Sequence, residues 1–275
     1  MRMASNGNSF SYILQNNHFV LDSLLIMVMC SKRAGGGFML KIENFSKSYK
    51  GGKKAVDSLS LEIKNGDIYG FIGHNGAGKT TTIRAIVGVL DFEEGEIWIN
   101  GISIRKDPVA CKKLTAYIPD NPDLYEHLTG IGYLNFIGDI FEVSKFDRET
   151  LIEKYADAFE LTGNLGDAIS SYSHGMKQKL TVIAALIHKP KLLVLDEPFV
   201  GLDPKAAHIL KDLMIELCER GSAIFFSTHV LEVAEKLCNK IAIIKDGKLV
   251  TCGLTADVKG KQSLEDVFME LIESK

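Results

Sequence analysis

Residues 73–80 read Gly-His-Asn-Gly-Ala-Gly-Lys-Thr and satisfy the pattern G-x-x-x-x-G-K-[ST]. An apolar run, residues 67–72, precedes them, and a helix-like stretch, residues 81–89, follows. Strand, glycine-rich loop and helix in that order is the setting in which this pattern has a physical meaning. Glycines allow successive backbone N–H groups to turn inward around an anion. The helix that follows adds its positive end. The spacing predicts a polyphosphate cradle made by Gly73, His74, Asn75, Gly76, Ala77, Gly78, Lys79, Thr80 and Thr81. Lys79 is placed to reach the β- and γ-phosphates, and the Thr80 hydroxyl is placed to meet Mg²⁺. His74 is expected to act through its backbone.

The chain has 275 residues, 46% of them hydrophobic and 24% charged. That length can bury a sizeable core, as one large domain or one domain with an inserted subdomain. With 32 basic and 35 acidic side chains the net charge is −3, which gives no reason to expect a nucleic-acid partner. The five cysteines are scattered and lack C-x-x-C spacing. They read as reduced structural thiols and not as a metal site. No apolar stretch approaches the roughly 20 residues of a membrane span. Any work at a membrane would need another polypeptide to do the spanning. Residues 1–38 are rich in Asn and Ser and carry Gly35-Gly36-Gly37 near their end. They are expected to be a poorly ordered extension or to lie upstream of the true start at Met39.

Short apolar runs separated by Gly51-Gly52, Asn65-Gly66 and Asn100-Gly101 predict strands over most of residues 39–100. Another strand is expected at 114–118. From about His127 the period turns helical, marked by Leu128, Ile131 and Leu134 and then by Leu151, Tyr155 and Ala158. This predicts an α-helical insert over about 122–175. Helices at 176–187, 204–220 and 230–239 alternate with strands at 192–195 and 223–226. A hairpin over 241–251 follows, then an amphipathic helix at the C-terminal end. Alternation of this kind predicts an α/β core with a mainly parallel sheet.

The run Leu192-Leu193-Val194-Leu195-Asp196-Glu197-Pro198 ends a hydrophobic strand in two carboxylates. In a parallel sheet that end is the ligand-binding edge. Asp196 suits a water-mediated hold on Mg²⁺. Glu197 suits the orientation or deprotonation of an attacking water.

Taken together these segments resemble the ATP-binding cassette of an ABC transporter, from about Met39 to Lys275. Tyr172-Ser173-His174-Gly175-Met176 stands where the family has Leu-Ser-Gly-Gly-Gln. Ser173 and Gly175 match that pattern, and Met176 is similar to the drug- and antibiotic-exporter branch. Gly201-Leu202-Asp203-Pro204 resembles the D-loop, and Ser227-Thr228-His229 resembles the segment that holds the switch histidine. Tyr49 stands where the family keeps an aromatic that stacks on adenine. Asp120 stands where the family usually has glutamine.

The resemblance implies a P-loop NTPase core with an N-terminal antiparallel β subdomain and an inserted helical subdomain. It implies ATP and Mg²⁺ as ligands, with Thr80, Asp196 and Asp120 toward the metal and Glu197, His229 and Lys79 in hydrolysis. It also implies a dimer with a second copy or a homologous cassette. There Ser173, Gly175 and Asp203 serve the nucleotide across the interface. The expected partner is an integral membrane permease at the cytoplasmic face of the cell membrane. Two other readings fit parts of the pattern. One is a soluble ribosome- or DNA-associated ATPase of the same class, which usually carries two fused cassettes. The other is a nucleotide-gated regulatory module, which Asp120 would suit.

Overall fold

In the computed structural model, residues 37–49, 51–52 and 54–273 are described. The expectation for the first 38 residues therefore falls almost wholly outside the described residues.

Two sheets carry the fold. The smaller has the order β2-β1-β4-β5 and is antiparallel throughout. Its strands are β1 (Phe38–Ser48), β2 (Lys54–Lys64), β4 (Glu94–Ile99) and β5 (Ile102–Ser103). The larger has the order β10-β9-β3-β8-β7-β6. It comprises β3 (Ile68–Ile72), β6 (Thr115–Ile118), β7 (Leu192–Asp196), β8 (Ala223–Thr228), β9 (Lys240–Lys245) and β10 (Lys248–Leu254). All its pairings are parallel except the β9–β10 hairpin.

The strands β3, β7 and β8 are buried along their whole length. That is why they read as unbroken apolar runs and not as alternating ones. Successive side chains still point to opposite faces, and the two hydrophobic clusters divide accordingly. Ile68, Leu193, Leu195, Ile224, Phe226, Ile241 and Ile243 face one cluster. Tyr69, Phe71, Leu192, Val194, Phe225, Ala242 and Ile244 face the other.

The second cluster lies between the two sheets and takes in α1 (Lys79–Ile86) and α2 (Pro108–Leu114). The first takes in α3 (Gly130–Ile140), α4 (Lys145–Ala158), α5 (His174–Ile187) and α6 (Pro204–Glu219). It also takes in α7 (Leu231–Leu237) and α9 (Leu264–Glu273), while α8 (Thr255–Lys259) joins β10 to the C-terminal end. Along α6 the buried residues are Ala206, Leu210, Leu213, Met214 and Cys218. That is one stripe at helical spacing. Each large apolar side chain in it contributes roughly 1.5–3 kcal/mol on burial.

Buried Asp67 pins the start of the large sheet. It accepts from the Lys64 amide at 2.7 Å, from Lys240 Nζ at 2.8 Å and from Asn239 Nδ2 at 3.0 Å. Asn239 Oδ1 in turn accepts from the Ile68 amide at 2.8 Å. These bonds tie β3 to β9 at their amino ends and help hold the register. In that register Ile72 lies opposite Thr228, Asp196 opposite Ser227, and Ile118 opposite Leu195. The segments that follow β3, β6, β7 and β8 therefore emerge at one carboxyl edge of the sheet.

Most expected elements are present, with boundaries that shift by a few residues. α2 was not expected. It is one short segment capped by Asp107, which accepts from the Ala110 amide at 3.0 Å, and it buries only Cys111. A helix that short leaves no apolar period to read. The expected strand at 114–118 begins at Thr115 because Leu114 closes α2. The hairpin extends to Leu254, three residues beyond the expected end.

Candidate nucleotide site

The loop between β3 and α1 is shaped by two glycines that have no alternative. Gly78 has φ +109°, and a Cβ there would sit 2.5 Å from the Ala55 carbonyl oxygen. At Gly73 it would sit 2.6 Å from the Ile244 carbonyl oxygen. The loop is thus clamped between β2 and β9, and side chains at these points would push it open. Gly78→Ala is expected to cost roughly 1–3 kcal/mol of stability and to lower ATP affinity together with it. Denaturant unfolding and a calorimetric ATP titration would check this. Unchanged values in both would mean that the clamp is not needed.

Lys79 is 6% exposed. Its ammonium donates to the Gly73 carbonyl at 2.6 Å and to the His74 carbonyl at 3.3 Å. It also lies 3.6 Å from Glu197 Oε1. An ammonium has three donors, so two hold the loop and a third is left for the cleft. The α1 N-terminus opens onto the same space. His74, Asn75, Gly76, Gly78, Lys79, Thr80, Thr81, Ala55, Asp120, Asp196 and Glu197 line this cleft of about 220 Å³.

Beside the loop, the end of β7 presents the acids and β8 presents Ser227. Asp196 is buried and accepts from the Ser227 hydroxyl at 2.5 Å. The same hydroxyl oxygen accepts from the Glu197 amide at 3.1 Å. Glu197 has φ +48°, an uncommon conformation for glutamate that costs energy and is held by its surroundings. That turn aims its carboxylate back over the sheet edge. Glu197 Oε2 is 2.9 Å from His229 Nδ1 and accepts from the His229 amide at 3.3 Å. Glu197 Oε1 is buried and has no hydrogen-bond partner.

The structure thus brings Lys79, Thr80, Asp120, Asp196, Glu197 and His229 to one place. Ala77 is buried under the loop. Tyr49 stands beside it, half exposed, with its hydroxyl 3.3 Å from Thr81 Oγ1. Ser173, Gly175 and Asp203 do not line the cleft. Ser173 caps α5, accepting from the Met176 amide at 3.2 Å. Asp203 caps α6, accepting from the Ala206 amide at 2.8 Å, and pairs with Lys179 Nζ at 2.8 Å. The hydrogen bond from Lys179 holds the Asp203 carboxyl below the usual range. Two partners of these side chains escaped the reading of the sequence. The Ser227 hydroxyl orders both acids, and only strand register places it opposite Asp196. Lys179 joins the Ser173 helix to the Asp203 loop, which one-dimensional spacing does not show.

The donor set fits Mg²⁺. Two threonines, Thr80 and Thr81, and three carboxylates line a single cleft, and oxygen ligands suit a hard cation. Among the described residues no group of three or more acidic, His or Cys side chains converges closely enough to hold an ion alone. Mg²⁺ would therefore share its ligands between these side chains and phosphate oxygens.

A glycine loop clamped at a helix start, with an acid pair at the carboxyl end of a parallel strand one strand removed in the same sheet, defines a P-loop nucleotide hydrolase. The sequence pattern of the family described as ABC transporter matches residues 56–200. An ABC transporter ATP-binding protein of Methanocaldococcus jannaschii is 35% identical over 82% of this chain and 80% of its own length. The linearmycin resistance ATP-binding protein LnrL of Bacillus subtilis is 34% identical over 80% of this chain and 70% of its own. A solved ATP-binding subunit of an ABC transporter superposes with a TM-score of 0.82 and 32% identity, covering 85% of this chain and 99% of that one. The chain belongs to the ABC transporter family and is an ATP-binding subunit of that family, an ATPase.

Proposed function

We propose that the chain is the motor of an exporter and energises a separate permease at the cytoplasmic face of the membrane. The observation that carries the hydrolytic half is the position of Glu197. One carboxylate oxygen is fixed by His229, while the other is buried, unbonded and turned toward Lys79. That oxygen, whose one partner is the Lys79 ammonium at 3.6 Å, would take a proton from a water aligned with the γ-phosphate. Lys79, the loop amides and the α1 N-terminus stabilise charge on the transferred phosphoryl group. Thr80, Asp196 and Asp120 would hold Mg²⁺, which when bound neutralises phosphate charge. Tyr49 offers a ring for the adenine.

Ser173 and Gly175 lie outside the cleft of their own chain, at the exposed start of α5. In the proposed cycle they meet the nucleotide held by a second copy or a homologous cassette, with Asp203 between the two sites. ATP then favours the closed pair and hydrolysis releases it, because the contacts exist only in that state. Export is favoured by the Ser173–Met176 segment and by the resistance function in the name of LnrL.

The permease side is supported by an uncovered apolar surface. Tyr125, Phe136 and Ile140 are 53%, 40% and 52% exposed. The Tyr125 ring packs edge-on against Phe136, with centroids 5.6 Å apart. Behind them a groove of about 300 Å³ runs between α3, α5 and β6, lined by Tyr117, Tyr133, Ile137 and Ala185 among others. Among the described residues no helix is long and apolar enough to cross a membrane. Aromatic anchors at a docking centre are worth about 2 kcal/mol or more. Replacing Tyr125 and Phe136 with aspartate is therefore expected to weaken permease capture about 30-fold or more, with ATP binding intact. Pull-down from detergent-solubilised membranes would measure it. Undiminished capture would place the docking surface elsewhere.

A further inference from the structure

The phosphate cleft holds more negative charge than an anion site needs. Its lining carries three carboxylates, Asp120, Asp196 and Glu197, against one ammonium, Lys79. That ammonium is already shared by two carbonyls and lies 3.6 Å from Glu197. Asp196 is tied to Ser227 and Glu197 to His229. Asp120 differs from both. It is exposed, sits on the bend after β6, and among the described residues its carboxylate is bonded to no other side chain. Its field extends beyond the cleft, as far as Tyr117 on the neighbouring groove. Burial pushes the Tyr117 phenol up, and the charges of Asp196 and Asp120 push it further. Arg84, the guanidinium that offsets them there, does not line the cleft.

A polyphosphate entering this lining without a cation meets a third carboxylate with no counter-charge. With a divalent cation the same carboxylate becomes favourable, as an additional oxygen for the ion or as its neighbour. We infer that Asp120 makes this cleft select the metal complex of ATP over the metal-free anion, more strongly than an amide at that position would. The inference deepens the proposed function and rests on the phosphate cleft being the ATP site. It concerns which form of the nucleotide enters, before any bond is broken.

The quantity that reports it is the ratio of two affinities, for ATP with Mg²⁺ and for ATP with EDTA, measured by calorimetry on the full chain. By linkage that ratio also measures how much more tightly Mg²⁺ binds the loaded protein than free ATP. Removing one unit charge a few ångströms from the phosphates, in a partly solvated cleft, is expected to change the ratio roughly tenfold. Asp120→Asn should therefore bind metal-free ATP more tightly, and the ratio should shrink by about that factor. Asp120→Glu, which keeps the charge, should stay near the wild type.

A merely structural role for Asp120 would move both affinities together and leave the ratio alone. An unchanged ratio in Asp120→Asn overturns the inference, and so does a ratio that falls equally in Asp120→Glu. Failure of the wild type to bind either form would instead remove the phosphate-site reading, and this inference with it. The wild-type titration with Mg²⁺ separates the two failures.

Discussion

Glu197→Gln is expected to lower ATP turnover by about 10²–10⁴-fold, the range for losing a positioned general base, while ATP binding persists. The expectation follows from which oxygens are already engaged. Oε2 is held by His229 Nδ1 at 2.9 Å and by the His229 amide at 3.3 Å. Oε1 alone remains for water. An amide in the same place keeps the shape and can keep a hydrogen bond, but it cannot accept the proton. The left-handed backbone at Glu197 and the Ser227 hydroxyl on its amide do not depend on the side chain. The variant should therefore fold like the wild type. Under the proposed cycle it should also accumulate as an ATP-bound pair, since release follows hydrolysis. Steady-state phosphate release and light scattering with ATP would read the two effects. Turnover within a few-fold of wild type would remove Glu197 as the base. Lost turnover without pairing would leave the base and remove the dimer.

The parts of the site that the sequence shows plainly are those made by contiguous residues. The loop at 73–80 and the pair Asp196-Glu197 each follow a strand that is buried on both faces, and such strands read as unbroken apolar runs. Parallel order does the rest, because strands that run the same way bring their carboxyl ends to one edge. What was not legible depends on register across the sheet. Ser227 serves Asp196 and Glu197 only because β8 lies beside β7 with those residues paired. Ser173 and Asp203 show the opposite difficulty. Each is a good N-cap and is used as one here. A capping role and a role toward a second nucleotide ask for the same residue types, so one chain shows only the first. α2 was missed for a plainer reason. Seven residues with one buried side chain have no period. The aromatic surface around Tyr125 was hidden too. Its members come from the loop before α3 and from α3 itself, where Leu128, Ile131 and Leu134 read as the face of an ordinary helix.

A second large effect is expected at His188, which lines the groove and not the phosphate cleft. The ring closes α5 and stacks on Phe141, with centroids 3.8 Å apart and planes 11° from parallel. Both ring nitrogens are buried without hydrogen-bond partners. Burial holds its pKa down at about 4, against an ordinary value of 6.5. The Thr115 backbone offsets this only in part. The groove lining contains Lys112, Tyr117 and Tyr133 and no carboxylate. In the folded chain His188 is therefore neutral until pH falls to about 4, whereas the unfolded chain protonates it near 6.5. Between those values the unfolded state binds more protons, so stability rises with pH. The contribution is complete above about 6.5 and is lost as pH falls toward 4, where both states are charged. The gap corresponds to about 3 kcal/mol at 1.36 kcal/mol per pH unit, a large share of a domain's net stability.

Carboxylates titrate in the same window, so the measurement is a difference. Urea unfolding of wild type and His188→Phe, which keeps a ring against Phe141, should give stabilities that run parallel above pH 6.5. Below it they should diverge by about 3 kcal/mol, with the wild type the weaker. Curves that stay parallel down to pH 4 would show that His188 finds a partner for its proton in the folded state. Divergence would place an acid-labile joint where α5 meets Phe141 and β6. Ser173 stands at the other end of the same helix, so loosening there would reach the segment proposed to meet the second nucleotide.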